Sequence, residues 1–220
     1  MNILAKFPHL GLCLGLFLTA GCGPLYEDSL GSTLLGAAQS AAGVGETPTP
    51  AIPALAPSVA NAAPGDVLLV KIIARNAVAP LTKAAENNGT LTWISPGDVT
   101  MTFEDGILVG TRGLNDDLMG VDPVGVRAAL NAGGGTAYRL QSFLTSEDQI
   151  ITRELTCEIT RIGSEDIQII GGARTATKFE EDCKGPALEF KNSYWLADGD
   201  IIRSRQAVSA GVGFIQADQL

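Results

Sequence analysis

Histidine is almost missing from this chain. There is one, His9, in 220 residues, and it lies in a segment that reads as a cleaved export signal. Histidine is the commonest general base and transition-metal ligand near neutral pH. Its loss excludes a Ser-His-Asp triad, a Cys-His pair and a His-ligated zinc. Catalysis would fall to carboxylates, lysine or tyrosine, a limit that carboxylate-only glycosidases still satisfy. No apolar run is long enough to cross about 30 Å of hydrocarbon. Gly133-Gly134-Gly135 is not followed by Gly-Lys-Ser/Thr, so it is no phosphate loop and reads as a flexible connection. Basic residues are also scarce, 15 against 24 acidic. That balance repels nucleic acid phosphates and anionic headgroups, leaving nucleic acid an unfavourable partner.

What is present begins at the amino terminus. Lys6 precedes an uncharged stretch from Phe7 to Tyr26 with an apolar centre at Leu10–Leu18. It closes on Leu18-Thr19-Ala20-Gly21-Cys22. A positive start, a short apolar core and small residues before a cut site make an export signal over residues 1–21. A cysteine directly after Ala-Gly marks a bacterial lipoprotein signal. Cys22 is therefore the expected lipidation site, carrying acyl chains such as palmitate; the alternative is an ordinary signal with a nearby cysteine. Two or more chains make a stable anchor. Gly23 follows instead of Asp, which favours the periplasmic face of the outer membrane. Cleavage leaves 14 of the 15 basic residues and all 24 acidic ones, a formal charge of −10.

Of four cysteines, Cys13 leaves with the signal and Cys22 is acylated. Cys157 and Cys183 remain in an oxidising compartment, where two cysteines usually pair. Two buried free thiols are the alternative. Two cysteines without histidine make a poor metal site, so no metal is expected. Residues 22–64 combine small residues with Pro48, Pro50, Pro53 and Pro57, the composition of an extended tether. A short helix within 29–42 is conceivable there. Residues 65–220 are long enough for one domain with a substantial core.

That domain reads as strands. Val67 to Arg75 suits a strand buried on both faces. Leu91–Ile94 leads to a turn at Ser95-Pro96-Gly97-Asp98. Val99, Met101 and Phe103 alternate with polar residues, and Asp105-Gly106 makes a hairpin to Ile107–Val109. Residues 111–123 have no strand rhythm, and Val124–Leu130 suits a short helix. Ala137–Leu144 pairs with Gln149–Ile162, whose Leu155, Cys157 and Ile159 share one face. Gly163-Ser164-Glu165-Asp166 reads as a turn into Ile167–Ile170. A strand or loop from Ala173 to Glu180 leads to Cys183. Phe190, Tyr194 and Leu196 alternate up to Asp198-Gly199-Asp200, and the final strand begins at Ile201. Hairpins with almost no helix predict an all-β antiparallel sandwich or barrel-like domain with one or two short helices.

Some of these residues carry a resemblance. Ala74-Arg75-Asn76-Ala77-Val78, Thr92-Trp93, Asp105–Leu114 with Asp116-Asp117-Leu118-Met119, Tyr194-Trp195 and Ser204-Arg205-Gln206 together resemble the YjbF/GfcB family of group 4 capsule polysaccharide lipoproteins. Ala207 departs from it, standing where a bulky aromatic is expected. The resemblance implies a lipid-anchored envelope protein from an exopolysaccharide or capsule secretion system, with no enzymatic activity, no cofactor and no catalytic residues. It points to an accessory factor that binds polysaccharide or exopolysaccharide-secretion proteins. The candidate surface is Arg112, Asn115, Asp116 and Asp117, with Trp195 as a stacking platform, since loops on a rigid scaffold commonly carry recognition. A solvated turn or helix cap is the competing reading of Asp116-Asp117. A carboxylate-dependent carbohydrate-active enzyme is the alternative function, although adjacent Asp116 and Asp117 would point apart.

Overall fold

The computed structural model describes residues 65–144, 149–169 and 172–219. The signal, Cys22, the tether and the helix expected within 29–42 lie outside these residues. Twelve strands form one antiparallel sheet: β1 (Val67–Ile72), β2 (Ala77–Asn87), β3 (Thr90–Ile94), β4 (Thr100–Glu104), β5 (Ile107–Arg112), β6 (Leu118–Val121), β7 (Gly135–Leu144), β8 (Ile150–Ile169), β9 (Gly172–Lys184), β10 (Glu189–Ala197), β11 (Asp200–Ser209) and β12 (Gly213–Gln219). One α-helix, α1 (Val124–Asn131), separates β6 from β7. The strand order is β5-β4-β3-β2-β1-β12-β11-β10-β9-β8-β7-β6. The sheet therefore curls until its two edges, β5 and β6, nearly meet, and the expected all-β barrel-like class holds.

Local chemistry explains the hairpins. Asn88-Gly89, Asp105-Gly106 and Asp198-Gly199 all have positive φ at both residues, the type I′ geometry that matches strand twist. At Gly106 a Cβ would lie 2.7 Å from Ile201 Cβ, so glycine is needed for space as well as for φ. These three turns share one end of the barrel with the start of β1. The segments 95–98, 113–117 and 185–188 lie at the far end. Helix α1 buries Val126, Ala129 and Leu130. Arg127 donates to the turn carbonyls of Asp105 (3.5 Å) and Gly199 (3.0 Å), fastening the helix to the entry end.

Several expectations need correction. The first strand ends at Ile72, and Ile73–Arg75 form a 3-10 turn closed by Asn76 at φ 47. β2 follows, and its Asn88-Gly89 hairpin signal was open to reading. Residues 111–123 contain strand β6. Gly163–Asp166 do not turn: the ladder slips by one residue between Arg161 and Gly163, and β8 runs on to Ile169. A β-bulge absorbs an extra residue without ending a strand. The chain also has a strand beyond the one beginning at Ile201, because Ser209–Gly213 turns back into β12. Within the Gly133–Gly135 connection, Gly134 is set close to the sheet, where a Cβ would meet the Ile159 carbonyl at 2.9 Å, while Gly133 and Gly135 face open space.

The distal β8–β9 hairpin packs Ile167, Ile169 and Ala176 on Ile202, Trp195 and Ala197. Tyr194 is fully buried in the barrel, so Trp195 lies on the outer face. Ile202 joins it there because a bulge in β11 sets two residues opposite Trp195. Arg203 donates to Gln168 O at 2.7 Å, fastening the end of β8 to β11.

Candidate functional site

The seam between β5 and β6 is closed by side chains. Thr111 Oγ1 donates to Asp117 Oδ1 (2.7 Å) and accepts from Leu118 N (3.0 Å). Asp117 also accepts from the backbone N–H groups of Gly113 (2.9 Å) and Leu114 (3.2 Å). Asp116 Oδ2 accepts from Gly211 N (2.7 Å), and its carbonyl accepts from Ser209 Oγ, tying the loop to the β11–β12 turn. Arg112 Nη1 donates to the carbonyls of Thr111 and Leu118. Both carboxylates thus hold the protein's own backbone. Asn115 is exposed at φ 75, at the crest of the loop.

Beside this loop a groove of about 340 Å³ is lined by Thr102, Val109, Gly110, Thr111, Arg112 and Met119. Gly110 leaves part of its floor without a side chain. Thr102 shares its face with Thr92, the two hydroxyls 3.3 Å apart, and Thr100 follows on the same face of β4. Among the lining residues the one ionisable group is the Arg112 guanidinium. Hydroxyls, a guanidinium and a bare backbone strip are suited to hydrogen-bonding a polar, hydroxyl-rich ligand.

Trp195 is not part of this arrangement. It sits on the outer face of β10 near the opposite end of the barrel. Its indole N–H donates to Glu165, and Lys178 Nζ lies 5.3 Å from its ring centroid. Arg112, Asn115, Asp116 and Asp117 are brought together; Trp195 is not joined to them.

The barrel interior holds a second polar cluster that sequence reasoning missed. Arg139, Glu181, Asn192 and Gln206 are each 0 % exposed. Glu181 accepts from Arg139 Nη1 (3.2 Å), Asn192 Nδ2 (2.7 Å) and the Tyr194 hydroxyl (2.7 Å). Gln206 accepts from Leu108 N (2.9 Å) and donates to Gly106 O (3.0 Å), linking β11 to β5 across the barrel. Asn192 Oδ1 accepts from Ala207 N (2.8 Å), so the position departing from the family pattern is itself buried and anchored. Burial lowers the Arg139 pKa, but its interactions with Glu181 and then Tyr194 outweigh it and the net shift is upward. Burial pushes the Tyr194 phenol well above its usual value, reinforced by Glu181 and opposed by Arg139. A signal was present: Arg139 stands between Ala137 and Gln141, and Glu181 between Phe179 and Cys183, all in the inward phase of their strands.

Cys157 and Cys183 form a disulfide between directly paired residues of β8 and β9. The Cys183 sulfur lies 3.2 Å from Glu181 Oε1. Among the described residues, Cys157, Glu181 and Cys183 are close enough to suggest a metal site. With the sulfurs bonded to each other they offer no thiolate, and these residues do not fit a metal.

Fold and site together define a class: a barrel-like antiparallel module, cross-linked by a buried disulfide, with a hydrogen-bonding groove at its seam. The chain belongs to the YjbF family, described as group 4 capsule polysaccharide lipoprotein GfcB, YjbF, which matches residues 49–220. This is the family that the sequence motifs resemble. Among solved structures, the hypothetical lipoprotein YmcC from Escherichia coli K12 is similar, with a TM-score of 0.64 and 18% identity over 88% of this chain and 96% of that one. A putative exported protein with a YmcC-like fold from Bacteroides fragilis aligns at a TM-score of 0.29 and 10% identity, over 70% of this chain and 93% of that one. No match to a curated protein was found. The family assigns the chain to the capsule polysaccharide lipoproteins of the cell envelope. No helix among the described residues is long and apolar enough to cross a membrane.

Proposed function

We propose that this protein is a non-enzymatic accessory factor in capsule or exopolysaccharide production or export. It is anchored through acylated Cys22 to the periplasmic face of the outer membrane and binds glycan in the seam groove. The observation that carries this reading is placement. The chain enters the barrel at the end of the type I′ turns and α1, while the 113–117 loop stands at the far end and the groove lies on the outer wall beside it. A glycan seated there stands clear of the anchored side. Arg112, Thr102 and Asn115 supply donors and acceptors for sugar hydroxyls and charged substituents. Asp116 and Asp117, in the loop beside the groove, are engaged by backbone amides, which supports binding over acid–base chemistry at that loop. Titration calorimetry with the native polysaccharide tests it: Arg112→Ala and Asn115→Ala should each weaken binding by about tenfold, a loss of 1.4 kcal/mol. Absence of binding by the unaltered protein would retire the glycan reading. Mass spectrometry of the mature protein should find Cys22 acylated at its amino terminus, and Cys22→Ser should release it from membranes.

A second reading, docking to an envelope protein, has its own observation. Tyr138, Leu140, Leu144 and Ile150 are exposed on the outer face of β7–β8, Tyr138 at 78%. The pair Tyr138 and Leu140 and the pair Leu144 and Ile150 flank the Ser142–Thr152 hydroxyl pair on this face, and exposed apolar side chains grouped on a rigid sheet mark interaction surfaces. A photocrosslinker at Tyr138 should trap a secretion-system protein in cells, and one at Lys71 should not.

A further inference from the structure

The interior network contains polar atoms that the protein does not satisfy. Arg139 Nε and Nη2 and Gln141 Oε1 are buried without a hydrogen-bond partner. Arg139 Nη1 reaches Glu181, and one face of its guanidinium lies toward the Phe190 ring, 5.8 Å from its centroid. Arg139 and Gln141 are two residues apart on β7, both inward, so their Cα atoms are roughly 7 Å apart. Leaving such groups dry is costly, and buried polar groups in native proteins are paired with protein or with ordered water in roughly nine cases of ten.

We propose that this point of the barrel interior is a binding site for solvent: one water, or a short chain of waters, held between the Arg139 guanidinium and the Gln141 side-chain carbonyl. The chemistry of the two groups selects the guest. Arg139 offers donors, so the guest must accept. Gln141 Oε1 is an acceptor, so the guest must also donate. A simple anion fails the second condition, and the charge of Arg139 is already balanced by Glu181. A metal cation fails the first. Water satisfies both, and it still does if the Gln141 amide is turned end for end. Buried waters of this kind occur at about one per 27 residues and typically make about three hydrogen bonds. Here the site completes the coordination of a fully buried charge and joins β7 to the Glu181 cluster on β9 and β10.

A high-resolution crystal structure of the purified chain provides the first test. It should show a water within hydrogen-bond distance, roughly 2.7–3.2 Å, of Arg139 Nε or Nη2 and connected to Gln141. Water–amide cross-relaxation in solution should detect a long-lived molecule beside the β7 amides. Protein groups on all three atoms, or an anomalous signal from a bromide-soaked crystal at this point, would overturn the proposal. Arg139 variants risk unfolding, so the second test is Gln141→Leu, which leaves the Arg139–Glu181 pair in place. It should remove the bridging water and lower Tm. A Tm that rises instead means that an unsatisfied carbonyl has been deleted from a dry site, and the bridge is then wrong.

Discussion

The interior network and the seam loop are both clusters of hydrogen-bonded polar residues, yet they draw on different distances along the chain. The Asp117 carboxylate is met by Thr111, Gly113 and Leu114, all within six residues. The Glu181 carboxylate is met by Arg139, Asn192 and Tyr194, from strands on both sides of β9. One cluster is a local cap at the surface, where water stands ready to replace a lost partner. The other is sealed, and losing a partner there strands a charge. The accessible cluster therefore suits recognition, since its residues tolerate exchange. The sealed one fixes the register of β7, β9, β10 and β11, and through Gln206 it holds β5 as well. The shape of the groove relies on this interior frame, because β5 is an edge strand with a ladder on one side only.

The comparison is broken hardest from the inside. Glu181→Ala leaves Arg139 buried and unpaired, and the expected loss is about 3–5 kcal/mol of unfolding free energy, read from urea denaturation. The double variant Arg139→Met, Glu181→Leu should lose much less than the sum of the single changes, because an apolar pair of similar volume carries no stranded charge. Additive losses would mean that the two groups do not act together. The disulfide comes next. It closes a sequence separation of 26 residues, for which the chain-entropy model gives roughly 3 kcal/mol. Replacing Cys157 and Cys183 by alanine should lower the unfolding free energy read from urea denaturation by that amount, while the groove's affinity for polysaccharide is retained if the barrel still closes.

Tyr194 sharpens the contrast through pH. Burial, then Glu181, raises its phenol pKa well above normal in the folded chain. The unfolded tyrosine ionises near pH 10. Below that value both states keep the proton and stability is unaffected. As pH rises through about 10, only the unfolded state releases its proton, so stability falls. Tyr194→Phe should flatten this alkaline decline in Tm, and it should cost about 1.5–3 kcal/mol at neutral pH for the lost hydrogen bond to a charged group. An alkaline limb identical in both proteins would show that another group governs it.

How much was legible follows the same division. The Asp105-Gly106 and Asp198-Gly199 turns, α1, the inward Cys157 and the β7–β8 pairing all rest on neighbouring residues or on simple alternation. β6 is four residues long and carries Gly120, too short for a periodic signal. β8 was cut at Gly163 because a bulge and a turn share the same residue types; only pairing with β9 tells them apart. Trp195 was read as a stacking platform because alternation places it outside the core, as it is. What alternation cannot show is the distal hairpin returning to engage it through Glu165 and Lys178. Arg139 and Glu181 fell on inward phases, but their partnership, 42 residues apart in sequence, depends on the sheet order. The solvent-exposed groove was the least visible, since it exists only where the two ends of the strand order meet.

The smallest expected effect tests the surface member of the pair. Asp117→Ala removes the acceptor for Gly113 N, Leu114 N and the Thr111 hydroxyl. Gly113 N is exposed while Thr111 and Leu114 are buried, so water takes over only part of the role, and the cost resembles loss of a helix cap, about 1 kcal/mol. Thr111 Oγ1 also receives Leu118 N, so the change loosens the seam as well as the loop. Amide exchange should quicken at Gly113, Leu114 and Leu118 and remain slow at Arg139 and Tyr194. Asp116→Ala should instead quicken exchange at Gly211, its own partner. If either substitution accelerates exchange deep in β7 and β10, the loop and the interior form one cooperative unit, and the separation drawn between them fails.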